Sequence, residues 1–113
     1  MRDQLKDQDR LVHILEAIEN VYTFMQERTF EDLQEDKLLY YGVVKNVEIV
    51  GEAAYKLSKE FKEGHPEIPW RLIEKMRHIM VHGYYKISIP ILYNVYTEDF
   101  PMLESFIRNL KED

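Results

Sequence analysis

An arginine, a histidine and a tyrosine stand close together in the stretch RHIMVHGY, where Arg77 is followed by His82 and, after Gly83, by Tyr84. A neutral imidazole can take the proton from a ribose 2′-hydroxyl, and a guanidinium can stabilise the negative charge that builds on the phosphorus oxygens. An arginine and a histidine can therefore cut RNA without a metal ion and leave a 2′,3′-cyclic phosphate. This chemistry requires both side chains at one phosphodiester group.

The helix predicted to carry this stretch does not by itself bring Arg77 and His82 together. Residues five apart on a regular α-helix point about 140° away from each other. The two side chains converge only if the helix unwinds near Val81 and His82, which a glycine at position 83 permits, or if two subunits face each other. We therefore expect a helix break or a dimer at this site.

Other interpretations of the same residue types remain open at this point. His82 can be a histidine favoured by the helix dipole at a C-terminus, with Arg77 an ordinary surface cation. His78 and His82 are four apart and could bind zinc, but no third ligand is identifiable nearby, so we predict no metal site and no cofactor. Glu48 and Glu52 could perform acid–base chemistry, although two surface glutamates are the simpler interpretation.

The charge distribution favours a local rather than a general affinity for nucleic acid. The 113-residue chain has a net charge of -6, which argues against broad binding to phosphate backbones. Four basic residues and a single acidic one lie between positions 71 and 86, so the local net charge there is +3. The candidate supporting contacts to RNA in this stretch are Arg71, Lys75, His78 and Lys86.

The first half of the chain is predicted to form two long helices joined by an acidic connector. The helix from Asp3 to Gln26 carries an apolar stripe that Val12 and Phe24 widen, so we expect it to be covered on more than one side, by the bundle and by a second subunit. Thr29 and Asp32 are spaced like a capping pair within the connector.

The second long helix is predicted from Lys37 to Lys62, with apolar residues stepping by four and three as in a seam for antiparallel packing. Gly51 in its middle costs about 1 kcal/mol relative to alanine, which favours a close helix crossing at this position. Gly64, Pro66 and Pro69 then interrupt the pattern and predict a loop.

Three shorter helices are predicted after this loop. The first runs from Pro69 to Val81, with its inward residues at Ile73, Met76 and Met80. Ser88 is expected to cap the next helix, in which Ile91, Leu92 and Val95 are expected to be buried. Asp99 is expected to cap the last helix.

Together these patterns predict an all-α fold, an antiparallel bundle of four or five helices that forms a single domain over residues 1–113. The chain contains no cysteine, and no run approaches the roughly 18 apolar residues that a membrane helix needs. We therefore expect a cytoplasmic protein that does not insert into a membrane.

At this level of detail the chain resembles the HepT-like toxins of the HEPN superfamily. The family signature is an arginine, four residues, a histidine, any residue and a tyrosine, which here is Arg77, His82 and Tyr84. Three further blocks match in the right order: VEIVGEAAYKLS, PEIPWRLI and EDFPMLESFI. The resemblance implies a metal-independent ribonuclease acting on RNA as the toxin of a toxin–antitoxin pair, with Arg77 and His82 catalytic across a homodimer or a higher homo-oligomer.

The resemblance also implies a partner and a regulatory site. The expected antitoxin is a minimal nucleotidyltransferase that inhibits the toxin by AMPylation of Tyr84, with the adjacent Tyr85 as the alternative target. The added phosphate would neutralise Arg77, and the adenosine would occupy the path of the RNA. One departure from the family is His78, where relatives commonly have asparagine, and it affects the hydrogen bonding expected beside Arg77.

A different class of function is compatible with the same residues. The chain can be a non-catalytic helical partner, or substrate-binding subunit, that presents Tyr84 or binds nucleotide for a nucleotidyltransferase. The acidic net charge of -6 favours this alternative.

Overall fold

The computed structural model of the chain describes residues 2–78 and 88–112, and within these ranges every regular element is helical. A 3₁₀ segment follows the fifth α-helix at Lys75–His78, and a π-helical segment joins the last two at Val95–Asp99. The all-α prediction is confirmed. The α-helices are α1 (Arg2–Met25), α2 (Phe30–Glu35), α3 (Lys37–Lys56), α4 (Lys59–Glu63), α5 (Trp70–Glu74), α6 (Ile89–Asn94) and α7 (Phe100–Glu112).

The long helices α1 and α3 pack against each other in antiparallel orientation. Near the start of α1, the Asp7 carboxylate accepts a hydrogen bond from the Ser58 hydroxyl at 2.7 Å, just beyond the end of α3. Further along α1, the Asn20 amide donates to the Asn46 side-chain oxygen at 3.0 Å. From Asp7 to Asn20 along α1, the contacted residues run backwards along the chain from Ser58 to Asn46, which is the antiparallel packing that the apolar seams predict.

The apolar stripe of α1 fills the centre of this bundle. Ile14 and Val21, which widen the stripe, are fully buried within the single chain. Val12 and Phe24 remain 39% and 41% exposed, so part of the apolar surface of α1 stays accessible to solvent. Among residues 2–78 and 88–112, no helix combines the length and apolar character needed to cross a membrane.

The acidic connector between α1 and α3 is held by local hydrogen bonds. The predicted capping pair is confirmed: Thr29 Oγ1 accepts from the Asp32 N–H at 3.1 Å, and Asp32 Oδ2 accepts from the Thr29 N–H at 2.8 Å. Arg28 donates to Asp36 Oδ2 at 2.7 Å, and this hydrogen bond is the main reason why the pKa of Asp36 is lowered. Glu27, two residues after the end of α1, has a φ of 61°, in the left-handed region that glycine prefers.

The prediction of one continuous helix from Lys37 to Lys62 is wrong. The chain becomes extended at Leu57, with φ -61° and ψ 146°, and α4 begins after Ser58. Ser58 stabilises this break because its hydroxyl accepts from the Phe61 N–H at 3.1 Å while its own N–H donates to Asp7 at 2.8 Å. The apolar spacing did not reveal the break, because Leu57 would be buried in a continuous helix and is also buried, at 3% exposure, in the observed structure.

Two expectations for the C-terminal helices also fail. Ile91 is 64% exposed instead of buried, whereas Leu92 and Val95 are buried as predicted. Asp99 does not cap α7, because the chain passes into α7 without leaving helical geometry and the Phe100 N–H donates to the Val95 carbonyl. The π segment inserts one extra residue into the helix and so changes which positions face the core.

Ser88 occupies the N-cap position of α6, but its side chain makes no capping hydrogen bond. At the other end of this region α7 returns to α1, where Arg108 pairs with Glu19 at 2.7 Å. Tyr22 of α1 lies against this helix, and burial together with the negative charge of Glu104 raises the pKa of Tyr22 to about 12.

Candidate active site

Arg77 lies in the 3₁₀ segment Lys75–His78, directly after α5. The start of α5 is anchored by Trp70, which is 7% exposed and donates its indole N–H to the His65 carbonyl at 2.9 Å. Met76 inserts into the core at 6% exposure, whereas the neighbouring Arg77 is only half-buried. The core contacts of the residues before it therefore hold Arg77 at the surface.

The backbone of Arg77 rests directly on α3 at Gly51. A Cβ atom built at Gly51 would overlap the backbone nitrogen of Arg77 and would lie 2.6 Å from the carbonyl carbon of Met76. Only glycine allows two backbones to approach this closely. The close crossing predicted at Gly51 is confirmed, and its partner is the segment that carries Arg77.

The side chain of Arg77 lies over the ring of Tyr55, one helical turn after Gly51 on α3. The guanidinium carbon is 3.7 Å from the ring centroid, well within the distance of a cation–π interaction. Arg77 Nη1 also donates to the Glu74 carbonyl at 3.2 Å. The ring contact and the hydrogen bond together determine where the guanidinium lies, and that hydrogen bond uses only one of its five N–H donors.

A second cation, Lys62, supports this arrangement from α4. Its ammonium group lies 2.7 Å from the Glu74 carboxylate, and the two side chains are only 18% and 21% exposed. The same ammonium donates to the carbonyls of Ala54 and Tyr55, each at 3.3 Å, near the C-terminus of α3. Lys62 thus neutralises the carboxylate of Glu74, the residue whose carbonyl Arg77 contacts, and stabilises the end of the helix that presents Tyr55.

An open cleft of about 540 Å³ adjoins this group of residues. Its walls include Tyr55, Lys62 and Glu74, and buried Trp70 contributes to its floor. The lining combines an exposed aromatic ring with charged side chains of both signs, since Lys59 and Glu63 also contribute to it. A ligand with a planar apolar part is the kind of molecule that such a surface can accommodate.

The other predicted site residues divide into two groups. Arg71 is exposed on α5, and in the 3₁₀ segment that carries Arg77, Lys75 is exposed and His78 is half-buried. His82, Tyr84, Tyr85 and Lys86 lie outside the described residues, as does Met80. The structure therefore describes the arginine half of the predicted site, and the meeting of Arg77 with His82 stays a prediction.

The geometry around Arg77 is already different from the regular helix assumed from the sequence. The helix predicted from Pro69 to Val81 changes from α to 3₁₀ geometry at Lys75, two residues before Arg77. A 3₁₀ helix has three residues per turn, so the angles of a regular α-helix do not apply to the segment that carries Arg77.

The alternative sites considered from the sequence receive no support from the described residues. In residues 2–78 and 88–112, no three histidine or acidic side chains are grouped closely enough to hold a metal ion. Glu48 and Glu52 form separate surface ion pairs, with Lys45 at 3.1 Å and with Lys56 at 3.4 Å. The interpretation as a surface residue is confirmed for Glu52, whereas the Glu48 side chain is only 20% exposed.

Tyr55 is the residue that sequence reasoning missed. Its apolar spacing on α3 is unremarkable, since it lies on the solvent side of the seam and is 50% exposed. The available signal was its position four residues after Gly51, which places it on the same face of α3 as the glycine crossing. An exposed aromatic beside a close backbone crossing is suited to contact the side chain that the crossing presents.

The chain is similar to known proteins of one family over most of its length. Residues 14–110 match the model of the family described as ribonuclease HepT-like. The chain is 38% identical over 104 residues to the "Probable ribonuclease HepT" of Thermococcus cleftensis, covering 92% of this chain and 94% of that protein. It is 33% identical over 100 residues to a protein of Caldanaerobacter subterraneus subsp. tengcongensis named "Putative RNase TTE0752", covering 88% and 89% of the two chains.

A further relative, from Methanocaldococcus jannaschii and named "Putative RNase MJ1380", is 30% identical over 94 residues, which are 83% of this chain and 86% of that protein. No solved structure matches the chain. The family model covers α3, the glycine crossing and Arg77, the elements from which the site is built. The chain belongs to the HepT-like ribonuclease family.

Proposed function

We propose that this protein is a metal-independent endoribonuclease that cleaves RNA by attack of a ribose 2′-hydroxyl on the adjacent phosphorus. The observation that carries the proposal is Arg77, a half-buried guanidinium held over Tyr55 beside an open cleft, in a chain of the HepT-like ribonuclease family. A guanidinium presented in this way suits the developing charge of a pentacoordinate phosphate.

In the proposed reaction, His82 takes the proton from the 2′-hydroxyl and the 2′-oxygen bonds to phosphorus. The bond from phosphorus to the 5′-oxygen of the next nucleotide breaks, and that oxygen leaves with a proton from the imidazolium or from water. The products are a 2′,3′-cyclic phosphate and a 5′-hydroxyl. Arg77 binds the non-bridging oxygens throughout, and Arg71, Lys75, His78 and Lys86 are the proposed supporting contacts to the RNA backbone.

The active form is proposed to be a homodimer or a higher homo-oligomer. In support, Val12 and Phe24 leave apolar surface on α1 exposed at 39% and 41%. A second subunit would also allow Arg77 and His82 to meet across an interface, whatever the angle between them within one chain. Sedimentation equilibrium of the purified protein tests this part of the proposal.

The function is proposed to be that of a toxin controlled by a minimal nucleotidyltransferase antitoxin. The antitoxin would add AMP to Tyr84, with Tyr85 as the alternative acceptor, and the new phosphate would neutralise Arg77. Co-expression with a nucleotidyltransferase encoded beside this gene, followed by mass spectrometry of the Tyr84 peptide, should show one added AMP. A peptide of unmodified mass would remove this regulatory part of the proposal.

The central experiment measures cleavage of a mixed-sequence RNA by the purified protein, with and without EDTA. We expect cleavage that survives EDTA, yields 2′,3′-cyclic phosphate ends and falls at least 100-fold in Arg77→Ala and His82→Ala, which is the scale of losing a charge-stabilising group or a general base. Arg108→Ala and His13→Ala serve as matched controls, since both side chains are exposed and lie on other helices. Activity equal to wild type in both site variants would overturn the proposal.

The second candidate function, a non-catalytic helical partner of a nucleotidyltransferase, is favoured by the net charge of -6. It predicts no RNA cleavage by the isolated chain and a stable complex with the nucleotidyltransferase. The same cleavage assay distinguishes the two, because cleavage that is lost in His82→Ala is incompatible with a purely non-catalytic partner.

A further inference from the structure

We propose that Tyr55 is a positioning residue for Arg77, whose ring holds the guanidinium in the orientation used for RNA cleavage. The inference rests on the proposed ribonuclease function and extends it to a residue outside the arginine–histidine signature. It concerns α3, which is remote in sequence from Arg77 but lies directly beneath it.

The first support is the distance between the two side chains. A guanidinium carbon 3.7 Å from a ring centroid can lie only over the face of the ring, in van der Waals contact with it. The hydrogen bond from Arg77 Nη1 to the Glu74 carbonyl at 3.2 Å fixes one corner of the same group. A face contact and a hydrogen bond together restrain the plane of the guanidinium and its rotation within that plane.

The second support is that α3 positions Arg77 twice. Gly51 contacts the backbone of Arg77, and Tyr55, four residues later on the same helical face, contacts its side chain. The same turn of α3 thus positions both the main chain and the guanidinium of Arg77. A catalytic group that is oriented before substrate arrives loses less entropy in the transition state than one that is free.

The third support is that the Glu74 carboxylate pairs with Lys62 and not with the guanidinium. Glu74 presents its carbonyl to Arg77, while its carboxylate lies 2.7 Å from Lys62. Within the described part of the chain, Arg77 forms no ion pair with an acidic residue. An aromatic ring stabilises the guanidinium without neutralising it, so the positive charge stays available for phosphate.

The test compares three substitutions of Tyr55 with one of a matched tyrosine. Tyr55→Phe and Tyr55→Trp retain a ring face, whereas Tyr55→Leu retains apolar bulk only. Tyr41 is the control, because it lies on the same helix and its exposure of 51% equals the 50% of Tyr55 within one per cent. All variants are assayed well below their melting temperatures, so that a loss of activity cannot come from unfolding.

We expect Tyr55→Leu to lower kcat by about tenfold, the scale of one partly desolvated cation–π contact, with a much smaller change in KM. Tyr55→Phe, Tyr55→Trp and Tyr41→Leu should stay within about twofold of wild type, which lies inside the scatter expected for surface substitutions. In an Arg77→Ala background, Tyr55→Leu should have no additional effect. A kcat of Tyr55→Leu equal to that of Tyr55→Phe would overturn the proposal.

A readout that does not depend on activity separates this inference from the proposed function. Protons of the Arg77 side chain lie over the Tyr55 ring, so their NMR resonances should be displaced upfield and should return toward ordinary values in Tyr55→Leu. If wild-type protein cuts no RNA, the proposed function fails while the resonances still test the ring contact. If Arg77 resonates at ordinary positions in the wild type, the positioning role is wrong even for an active ribonuclease.

Discussion

The ammonium group of Lys62 lies 2.7 Å from the carboxylate of Glu74, and this ion pair joins α4 to the end of α5, just before the segment that carries Arg77. Both side chains are about one-fifth exposed, so the pair is more protected from water than the other ion pairs of the described residues. Protection of this kind strengthens the attraction and raises the cost of leaving one partner alone.

Removal of Lys62 alone should therefore damage both stability and activity. Lys62→Met leaves the Glu74 carboxylate without its cation, at a cost of about 1–3 kcal/mol in the free energy of unfolding. The freed carboxylate also becomes available to pair with Arg77 and to reduce its charge. We expect a lower kcat in Lys62→Met, measured with the RNA cleavage assay at a temperature where the variant is folded.

The double variant Lys62→Met/Glu74→Gln is the control for this prediction. It removes the uncompensated charge, so we expect it to recover most of the lost kcat. A double variant as slow as Lys62→Met would show that Lys62 does not act through the charge of Glu74.

Gly51 should not tolerate a side chain. Alanine favours a helix over glycine by about 1 kcal/mol, but at position 51 its methyl group would meet the backbone of Met76 and Arg77. Because backbone atoms cannot move aside as a flexible side chain does, we expect Gly51→Ala to lower the free energy of unfolding by about 1–3 kcal/mol, the usual scale of overpacking. Chemical denaturation of the purified variant provides the measurement.

Gly42 offers a matched comparison on the same helix. Among the described residues, a methyl group there would meet only the ring of Phe24, at 3.3 Å, and a side chain that is 41% exposed can shift. Gly42→Ala should thus be neutral or slightly stabilising. Equal destabilisation by both substitutions would contradict the backbone crossing at Gly51.

Glu27→Gly should stabilise the protein. Glu27 has a φ of 61°, a conformation that costs a residue with a Cβ atom about 1 kcal/mol and that glycine adopts freely. Glu27→Ala removes the same carboxylate and keeps the Cβ atom, so it controls for the lost charge. We expect thermal unfolding to rank the melting temperatures as Glu27→Gly above Glu27→Ala, and the reverse order would exclude the strained conformation.

The pH dependence of stability should contain two acidic contributions of opposite sign. Burial, aided by Glu98, raises the pKa of Asp99 above its usual value of 3.8, so ionisation of Asp99 disfavours the folded state. The contribution of Asp99 to the free energy of unfolding is therefore lost as pH rises from 3.8 through the higher pKa of the folded state. Asp99→Asn should consequently be more stable than wild type at pH 7, with the advantage disappearing near pH 3.

Asp36 provides the contrasting case. Its hydrogen bond from Arg28 lowers its pKa, so its contribution is present above pH 3.8 and is lost as pH falls through the lower folded pKa. Asp36→Asn should reduce the melting temperature at pH 7 and have little effect well below pH 3. The two asparagine variants should therefore shift the melting temperature in opposite directions at neutral pH.

Much of the fold could be predicted from the sequence because local signals and apolar spacing agree over long stretches. The long first helix, the capping pair at Thr29 and Asp32 and the close approach at Gly51 were all predicted, and each depends on a few neighbouring residues. The break at Leu57 was not, since it depends on Asp7, fifty-one positions from Ser58. The exposure of Ile91 was missed because its apolar side chain suggested burial, whereas it lies on the exposed side of α6 next to buried Leu92.

The candidate site shows the same division between local and distant information. Arg77 could be identified from its neighbours in sequence and from the charge around it. Tyr55 and Lys62 act on Arg77 and Glu74 through contacts between separate helices. Spacing along the chain places Tyr55 on the Gly51 face of α3, but it does not show what either residue contacts. Residues that orient a functional group from another element require the three-dimensional structure.

The crossing at Gly51 joins two main chains without a side chain between them. The height of Arg77 above α3 is consequently set by the radii of backbone atoms, which mutation does not alter, instead of by the volume of core residues. Substitutions elsewhere in the core can displace α3, but Arg77 and the Tyr55 ring should move with it as one body. Core residues can therefore be substituted while the Arg77 guanidinium keeps its position against the Tyr55 ring.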